Sequence, residues 1–252
     1  MPVPQPICRT YRQFINGSYD EGGRSNYVEH PSFAQSPERF IRAFLILQKD
    51  LIELFDYIEP SDKNLKCFSY RIHALLMRAC IEFEANCKAI FRENKFQKTD
   101  TNIKDYWKIE DTHLLSKYEV KVPYWAGKKN IYYPFKNWEI SHSLSWYGAY
   151  NESKHDRHNQ FEKANFENLL NAVCGLLVIL SSQFGTHDFS PSLSCLAIEG
   201  GGDGMESGIG GYFRIKFPVN FPQELRYDFD WHLLKDQDNP FEKCDYSKII
   251  KK

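Results

Sequence analysis

The sequence lacks the features that define several common protein classes. Its seven cysteines are an odd number, scattered along the chain without a Cys-x-x-Cys pair, so we expect neither a disulfide framework nor a zinc site. Cys80, Cys87 and Cys174 fall within helical patterns and are interpreted as small buried residues in a reducing compartment. The net charge of −1 excludes a generally basic nucleic-acid-binding protein. Any site for a polyanion must therefore be local.

Membrane and nucleotide-binding signatures are missing as well. The first residues show no secretion signal, and the uninterrupted apolar run 176–180 is too short to cross a bilayer. The glycine-rich stretch 200–211 lacks the Lys-Ser or Lys-Thr of a phosphate-binding loop, and no dinucleotide fingerprint or His-Glu-x-x-His motif occurs. We therefore expect a cytoplasmic protein with no membrane segment, no metal and no cofactor.

The chain does contain strong helical periodicity. Apolar residues recur at three- and four-residue steps in three stretches, which predicts long helices over about 37–59, 65–91 and 166–184. Capping and breaking residues mark the ends: Ser36, Pro37 and Pro60 for the first helix and Gly185 for the last. A short helix within 99–115 and continued helix from Trp138 to Arg157 are also predicted.

The remaining segments indicate strands and irregular structure. Alternation over 118–122 and 131–133 predicts a small hairpin with a basic tip, and similar alternation over 212–217 and 227–231 predicts two further strands. We therefore predict a mainly α protein in three parts. These are an irregular N-terminal arm (1–35), an antiparallel helical bundle with a hairpin insertion (36–189), and a Gly-rich loop with a small β-containing extension (190–252).

Residues 150–158, Tyr-Asn-Glu-Ser-Lys-His-Asp-Arg-His, form what we call the cationic segment. On a continuous helix two neighbouring stripes would result, the first made of Tyr147, Asn151, Lys154 and His158 and the second of Tyr150, Lys154, Arg157 and Phe161. Lysine and arginine can hold a phosphate, and histidine is the usual proton donor and acceptor near neutral pH. A base, an acid and cations that stabilise a phosphorane are what metal-free RNA cleavage requires.

Two other interpretations of this segment stay open. It can be a polar helix end with ion pairs within the helix and a cap at its end. Asp156 can orient a histidine or pair with Arg157. His155 and His158 are three residues apart and can share a metal, although the neighbouring cations would repel it. The cationic segment is therefore a candidate site whose alternative is purely structural.

Two segments resemble a group of bacterial proteins and, through them, the HEPN superfamily of α-helical domains. They are 78–84, Arg-Ala-Cys-Ile-Glu-Phe-Glu, and 146–157, Trp-x-x-x-Tyr-Asn-x-x-Lys-His-Asp-Arg, which runs into a long apolar helix. The resemblance covers about residues 36–185. It implies an antiparallel bundle, homodimerisation and, in active members, metal-independent RNA cleavage in phage defence, toxin–antitoxin pairs or RNA processing.

The sequence departs from the superfamily's motif, an Arg followed after four to six residues by His near the start of the final helix. Here His158 follows Arg157 directly, and Arg24 and His30, a pair with a matching spacing, lie in the arm. Superfamily members with altered motifs serve as binding modules. On the second helix, Arg78 is four residues from Glu82 and can pair with it.

The leading hypothesis is a homodimeric ribonuclease, possible partners being RNA and an antitoxin-like protein. The expected catalytic residues are His155, Arg157, Lys154 and Asn151, and the expected substrate-binding residues are His158, Arg78 and Tyr150. The alternative is a non-catalytic RNA- or protein-binding module that uses the same surface. Either role requires that the basic side chains of the cationic segment be accessible.

Overall fold

A computed structural model describes residues 2–20, 22–189 and 204–249. Over these residues the protein is mainly α, with a small four-stranded antiparallel sheet. The longer helices are α1 (Pro37–Phe55), α2 (Tyr70–Glu93), α5 (Ser145–His155) and α7 (Phe166–Phe184). The short helices are α3 (Ile103–Tyr106), α4 (Glu110–His113), α6 (Arg157–Gln160) and α8 (Trp231–Leu234). The strands are β1 (Glu119–Lys121), β2 (Ile131–Tyr132), β3 (Glu206–Ser207) and β4 (Arg214–Lys216).

The three long helices predicted from periodicity are confirmed, with shifted ends. α1 begins after Ser36, but this residue has left-handed backbone angles (φ 51°) and its hydroxyl makes no capping bond. The helix ends before Pro60. α2 starts later than Leu65, because the Ser69 hydroxyl caps its first turn by accepting a backbone hydrogen bond. α7 stops at Gly185, as predicted.

The antiparallel arrangement predicted for the bundle holds for α1 and α2. Glu53, near the end of α1, pairs with Arg71 at the start of α2 at 3.5 Å. Asp50, one turn earlier on α1, pairs with Arg78 further along α2. The two helices therefore run in opposite directions, and ion pairs join their exposed edges.

α2 and α7 form the most extensive helix contact, and they run in the same direction. Phe166 at the start of α7 donates its backbone N–H to the carbonyl of Cys67, just before α2, at 2.8 Å. Towards the other end, the Gln183 amide donates to Asn86 of α2 at 3.1 Å. The two helices are parallel because α5, which lies between them in the chain, runs back antiparallel to α2 and returns the chain to the start of that helix.

α7 is the central helix and positions α5 beside it. At 19 residues it is long and apolar enough to cross a membrane. However, 83% of its most apolar 18-residue stretch is buried inside the protein, as in the core helix of a soluble protein. A Cβ at Gly175 would lie 3.0 Å from the ring of Trp146, so this glycine allows α5 to approach closely. The Trp146 indole donates to the Pro134 carbonyl at 2.9 Å. This packing holds the start of α5, and the cationic segment continues from it.

The sheet joins parts of the chain that are distant in sequence. The predicted hairpin is confirmed, with Val120 of β1 opposite Tyr132 of β2. On its other side Val120 faces Ile215 of β4, within the strand predicted over 212–217, so the order is β2-β1-β4-β3. The strand predicted over 227–231 is wrong. Tyr227 makes only isolated bridges, and Trp231 begins α8.

The glycine-rich stretch lies partly outside the described residues, which resume at Gly204. Its second half turns the chain between β3 and β4, where the Gly211 N–H donates to the Gly208 carbonyl at 2.9 Å. Gly210 has a positive φ of 77°, and a Cβ there would lie 2.6 Å from side chains of α1. This position therefore requires glycine for close packing of the sheet on α1.

The N-terminal arm is irregular as predicted, apart from a 3₁₀ helix over Arg24–Glu29, but it is deeply packed. Arg9, Arg12 and Phe14 are buried, and the Val3 N–H donates to the Arg226 carbonyl at 2.8 Å. Of the cysteines interpreted as core residues, all three (Cys80, Cys87, Cys174) are fully buried. Burial raises the pKa of these thiols, so they remain neutral.

Candidate functional site

The cationic segment lies along the surface of α2. The Tyr147 hydroxyl on α5 donates to Glu84 in the second half of α2 at 2.8 Å. Beyond the end of α5, the guanidinium of Arg157 lies 5.9 Å from the ring centroid of Tyr70, the first residue of α2. α5 therefore runs antiparallel to α2, and the segment reaches back to the start of that helix.

A break in the helix divides the cationic segment, so the predicted continuous helix to Arg157 is wrong. Asp156 leaves the helical region (φ −136°, ψ 65°) between α5 and α6. Its carboxylate caps α6, accepting from the Asn159 backbone N–H at 3.3 Å and from the Asn159 side-chain amide. His158 is consequently on α6 and not on the stripe of Asn151 and Lys154. Asp156 therefore acts as a cap, a role that the sequence analysis did not assign to it, and in the described chain it forms no ion pair with Arg157.

Lys154 is held by a neighbour on the same face of α5. Its ammonium donates to the Tyr150 hydroxyl at 3.0 Å and lies 5.0 Å from that ring's centroid. The hydrogen bond to Tyr150 raises the pKa of Lys154, so the ammonium stays charged. Burial raises the pKa of Tyr150, so its hydroxyl stays neutral. Tyr150, a predicted substrate-binding residue, is buried and positions Lys154 instead of facing the solvent.

The other basic groups of the segment are accessible. His155, Arg157 and His158 are exposed, and Asn151 is half-buried. Nearby acids are engaged elsewhere, since Glu152 pairs with Lys163 at 3.4 Å and the carboxylate next to His155 caps α6. Within the described parts of the chain, neither Lys154 nor Arg157 forms an ion pair with a carboxylate.

Arg78 is not brought together with the segment. It pairs with Asp50 of α1, so the predicted pairing with Glu82 is wrong. Lys154 borders the opposite side of α2, where it interacts electrostatically with Glu84. Arg78 and Lys154 therefore flank one face of α2 from its two sides.

Sequence analysis missed an aromatic patch beside Arg157, formed by Phe68, Tyr70, His73 and Phe161. The Phe161 ring centroid lies 4.8 Å from that of Tyr70 and 5.7 Å from those of Phe68 and His73. Tyr70 is 71% exposed and Phe68 is 50% exposed. The one signal for this patch in the sequence is that Phe161 shares a predicted helical stripe with Arg157. Exposure of Tyr70 depends on where α2 begins, and periodicity does not set that point to within one turn.

Other possible sites carry none of the predicted residues. Across residues 2–20, 22–189 and 204–249, no three His, Cys, Asp or Glu side chains converge as metal ligands would. A cavity of about 540 Å³ lies between the N-terminal arm and the sheet, lined among others by Tyr11, Tyr19, Asp20, Glu206 and Phe217. The cationic segment and the aromatic patch remain the strongest candidate site.

The chain matches no protein-family model, no curated protein and no solved structure. The chemistry of the site is therefore judged from its own side chains. Two cations without carboxylate partners can bind phosphate oxygens, and two exposed histidines lie beside them in sequence. Open aromatic faces nearby can stack with planar groups.

Proposed function

We propose that the protein binds RNA at the cationic segment and cleaves it without a metal, as a homodimeric, HEPN-like cytoplasmic ribonuclease. The observation that carries the proposal is the exposure of Lys154, His155, Arg157 and His158 on one short segment, with no carboxylate paired to Lys154 or Arg157. In a chain with a net charge of −1, such a local group is where a polyanion binds. The mainly α fold and the position of the segment before the long helix α7 also support it.

In the proposed reaction, the ribose 2′-hydroxyl attacks the adjacent phosphorus and the bond to the 5′-oxygen breaks. His155 takes the proton from the 2′-hydroxyl, and a protonated histidine returns a proton to the departing 5′-oxygen. Lys154 and Arg157 stabilise the extra negative charge of the phosphorane, and Asn151 orients the phosphate. The products are a 2′,3′-cyclic phosphate and a 5′-hydroxyl, so atoms and protons balance.

The break at Asp156 puts His155 and Arg157 on different helices, so one chain does not preorganise both groups on a single face. A second copy that brings two segments together would complete the site. An antitoxin-like protein covering the same surface would silence it, and a role in phage defence or a toxin–antitoxin pair would follow from such control.

The second candidate function is a non-catalytic RNA-binding module. It is favoured by the contrast between Lys154, which Tyr150 holds in place, and His155, which is exposed at the end of α5. Efficient proton transfer requires a positioned base, whereas phosphate binding requires only accessible cations.

The test incubates labelled single-stranded RNA in EDTA with wild type, His155→Ala and Arg157→Ala. Matched controls are His232→Ala, at another exposed histidine, and Arg42→Ala, at an exposed arginine of α1. We expect cleavage by wild type and both controls, and cleavage at least about 100-fold slower in the two segment variants.

Equal cleavage by all five proteins would remove the segment from catalysis. Cleavage by none, with RNA retained by wild type and controls but not by Arg157→Ala, would establish the binding module. RNA neither cut nor retained by wild type would overturn both candidate functions.

A further inference from the structure

We propose that the exposed face of α2 beside the cationic segment is a platform on which unpaired bases stack, so that the substrate is single-stranded RNA and not a duplex. The platform consists of Tyr70, Ala74, Met77 and Ile81. This inference rests on the proposed function, because it names the kind of RNA that the cationic segment would bind.

The four platform residues share one side of α2, since they are spaced by four, three and four positions. Tyr70 is 71% exposed, Ile81 is 54% exposed, Ala74 is exposed and Met77 is half-buried. An apolar helix face of this kind normally packs against another element. Here α1 and α5 lie to either side of it; Met77 packs partly against the core, whereas Tyr70 and Ile81 remain exposed.

α1 and α5 form the two borders of the platform. On the α1 side, Arg71 and Arg78 are neutralised by Glu53 and Asp50. On the α5 side, Lys154 has a tyrosine hydroxyl as its hydrogen-bond partner and forms no ion pair with a carboxylate in the described chain, although Glu84 interacts with it electrostatically. The apolar face therefore has one neutral border and one cationic border, which suits a strand with bases on one side and phosphates on the other.

Arg157 and Lys154 are also spaced along the platform. Arg157 lies over the ring of Tyr70, at the first turn of α2. Lys154 lies further along the helix, where the Glu84 carboxylate interacts with it electrostatically. Fourteen residues from Tyr70 to Glu84 rise about 21 Å, enough for a strand of a few nucleotides.

Contacts within the protein account for the position of Phe161 but not for the exposure of the Tyr70 ring. Phe161 contacts Phe68, Tyr70 and His73 and so fastens the turn after α6 to the start of α2. The Tyr70 ring is tilted by 42° against that of Phe161 and remains 71% exposed. An aromatic ring with a cation beside it binds a nucleobase by stacking, whatever the base. Bases within an RNA duplex are stacked internally and cannot reach such a ring.

The experiment measures binding of a short single-stranded RNA containing 2-aminopurine, whose fluorescence falls when the base stacks. The variants are Tyr70→Ala and Tyr70→Phe, with Tyr124→Ala as a control at another exposed tyrosine. We expect wild type, Tyr70→Phe and the control to quench fluorescence alike. Tyr70→Ala should bind about 5- to 100-fold more weakly. A blunt duplex of the same sequence should bind wild type more weakly than the single strand.

Salt dependence separates stacking from phosphate contacts. Tyr70→Ala should leave the slope of log affinity against log salt unchanged, whereas Arg157→Ala should reduce it by about 0.7. If Tyr70→Ala binds RNA as wild type does while Arg157→Ala binds weakly, the platform is wrong and the proposed function stands. If wild type binds neither RNA, the proposed function itself fails.

A protein ligand for the platform would give a different result. If Tyr70→Ala and Ile81→Ser leave RNA affinity unchanged but convert a dimer to a monomer in sedimentation velocity, the platform binds a second copy of the chain. That outcome would overturn the stacking proposal. The unfolding transition of each variant in urea checks that a loss of binding does not reflect a loss of fold.

Discussion

The N-terminal arm and the cationic segment both carry basic side chains, but these are buried and paired in the arm and exposed in the segment. Arg9 of the arm is fully buried, and its guanidinium contacts Glu93 at 2.8 Å and donates to Gln183 at 2.8 Å and to the Gln35 carbonyl at 3.0 Å. Lys154 and Arg157 are exposed and lack carboxylate partners in the described chain.

The same buried network continues from the arm to α4. Arg12 donates to the Thr112 carbonyl at 2.9 Å. The His113 ring donates from Nε2 to the Arg9 carbonyl at 2.8 Å, and its Nδ1 lies 2.7 Å from the Thr112 hydroxyl. Every partner of these groups is supplied within the chain, so the network ties the arm to the helical core.

The difference teaches how a charged residue can be assigned a role. A buried cation must have its partners inside the protein, because an unpaired buried charge costs several kcal/mol. An exposed cation has water as its partner and can exchange it for a phosphate at little cost. The Arg9 network is therefore structural, and the cationic segment is available for a ligand.

The largest expected effect comes from a substitution in the buried Arg9 network. Glu93→Ala leaves the Arg9 guanidinium buried without its carboxylate, which should lower the free energy of unfolding by about 3 kcal/mol or more. Urea unfolding measures the change. Glu162→Ala, at an exposed acid, is the control and should change stability by less than about 0.5 kcal/mol. Equal losses in both variants would contradict the structural role of the network.

Acid should weaken the same network through His113. Burial lowers the pKa of His113 to about 3, with Arg12 adding to the effect, so the folded protein keeps this ring neutral at pH values where the unfolded chain protonates it. The unfolded chain then binds more protons, and stability falls as pH drops from about 6.5 towards 3. His113 alone should cost about 2 kcal/mol between pH 7 and pH 5.

The measurement compares urea unfolding of wild type and His113→Gln over that pH range. The variant should be less stable at every pH. Between pH 7 and pH 5, however, its free energy of unfolding should fall by about 2 kcal/mol less than that of wild type. Parallel curves for the two proteins would show that His113 does not titrate as its burial requires.

On the exposed side, substitution should affect binding and not stability. Lys154→Ala and Arg157→Ala should each change the free energy of unfolding by less than about 0.5 kcal/mol. Each should weaken single-stranded RNA binding by roughly 10-fold and reduce the salt slope by about 0.7. Fluorescence anisotropy titrations at several salt concentrations measure both quantities. Arg42→Ala, at an exposed arginine of α1, should match wild type, and a loss of stability in Arg157→Ala would place that residue with the structural cations.

The smallest expected effect concerns the hydroxyl that positions Lys154. Tyr150→Phe keeps the buried ring but removes the acceptor at 3.0 Å from the ammonium. RNA affinity should fall about 2- to 3-fold, because Lys154 remains charged but is no longer held in one orientation. Tyr133→Phe, at an exposed tyrosine on the hairpin side, is the matched control. An affinity loss as large as that of Lys154→Ala would mean that Tyr150 contacts RNA itself.

Much of the fold was predictable because helix formation and burial have a short-range signature. The stripes of α1, α2 and α7 follow the helical repeat, and their predicted members are mostly buried. The hairpin was predictable for the same reason, since alternation and a turn are local. Misassignments fell where partners are distant in sequence, as for Tyr227, which bridges to Val3 and Phe14 of the arm.

The candidate site was predictable in its residue types but not in its geometry. The density of basic side chains in residues 150–158 is visible in the sequence. The break at Asp156 is not visible in the sequence, because aspartate is also tolerated within a helix. Its carboxylate acts as a cap only once α6 starts in its own direction. The partner of Arg78 was equally hidden, since Asp50 lies on another helix.

By itself, the sequence determined the mainly α character, the buried cysteines and the local concentration of charge, because each depends on residues close together in the chain. Only the tertiary structure decided that Arg9 and Arg12 are internal while Lys154 and Arg157 face solvent. It also decided that Tyr70 lies open beside Arg157. The physical reason is that the free energy of a charge or an aromatic ring depends on the groups around it, and folding brings those groups from distant positions.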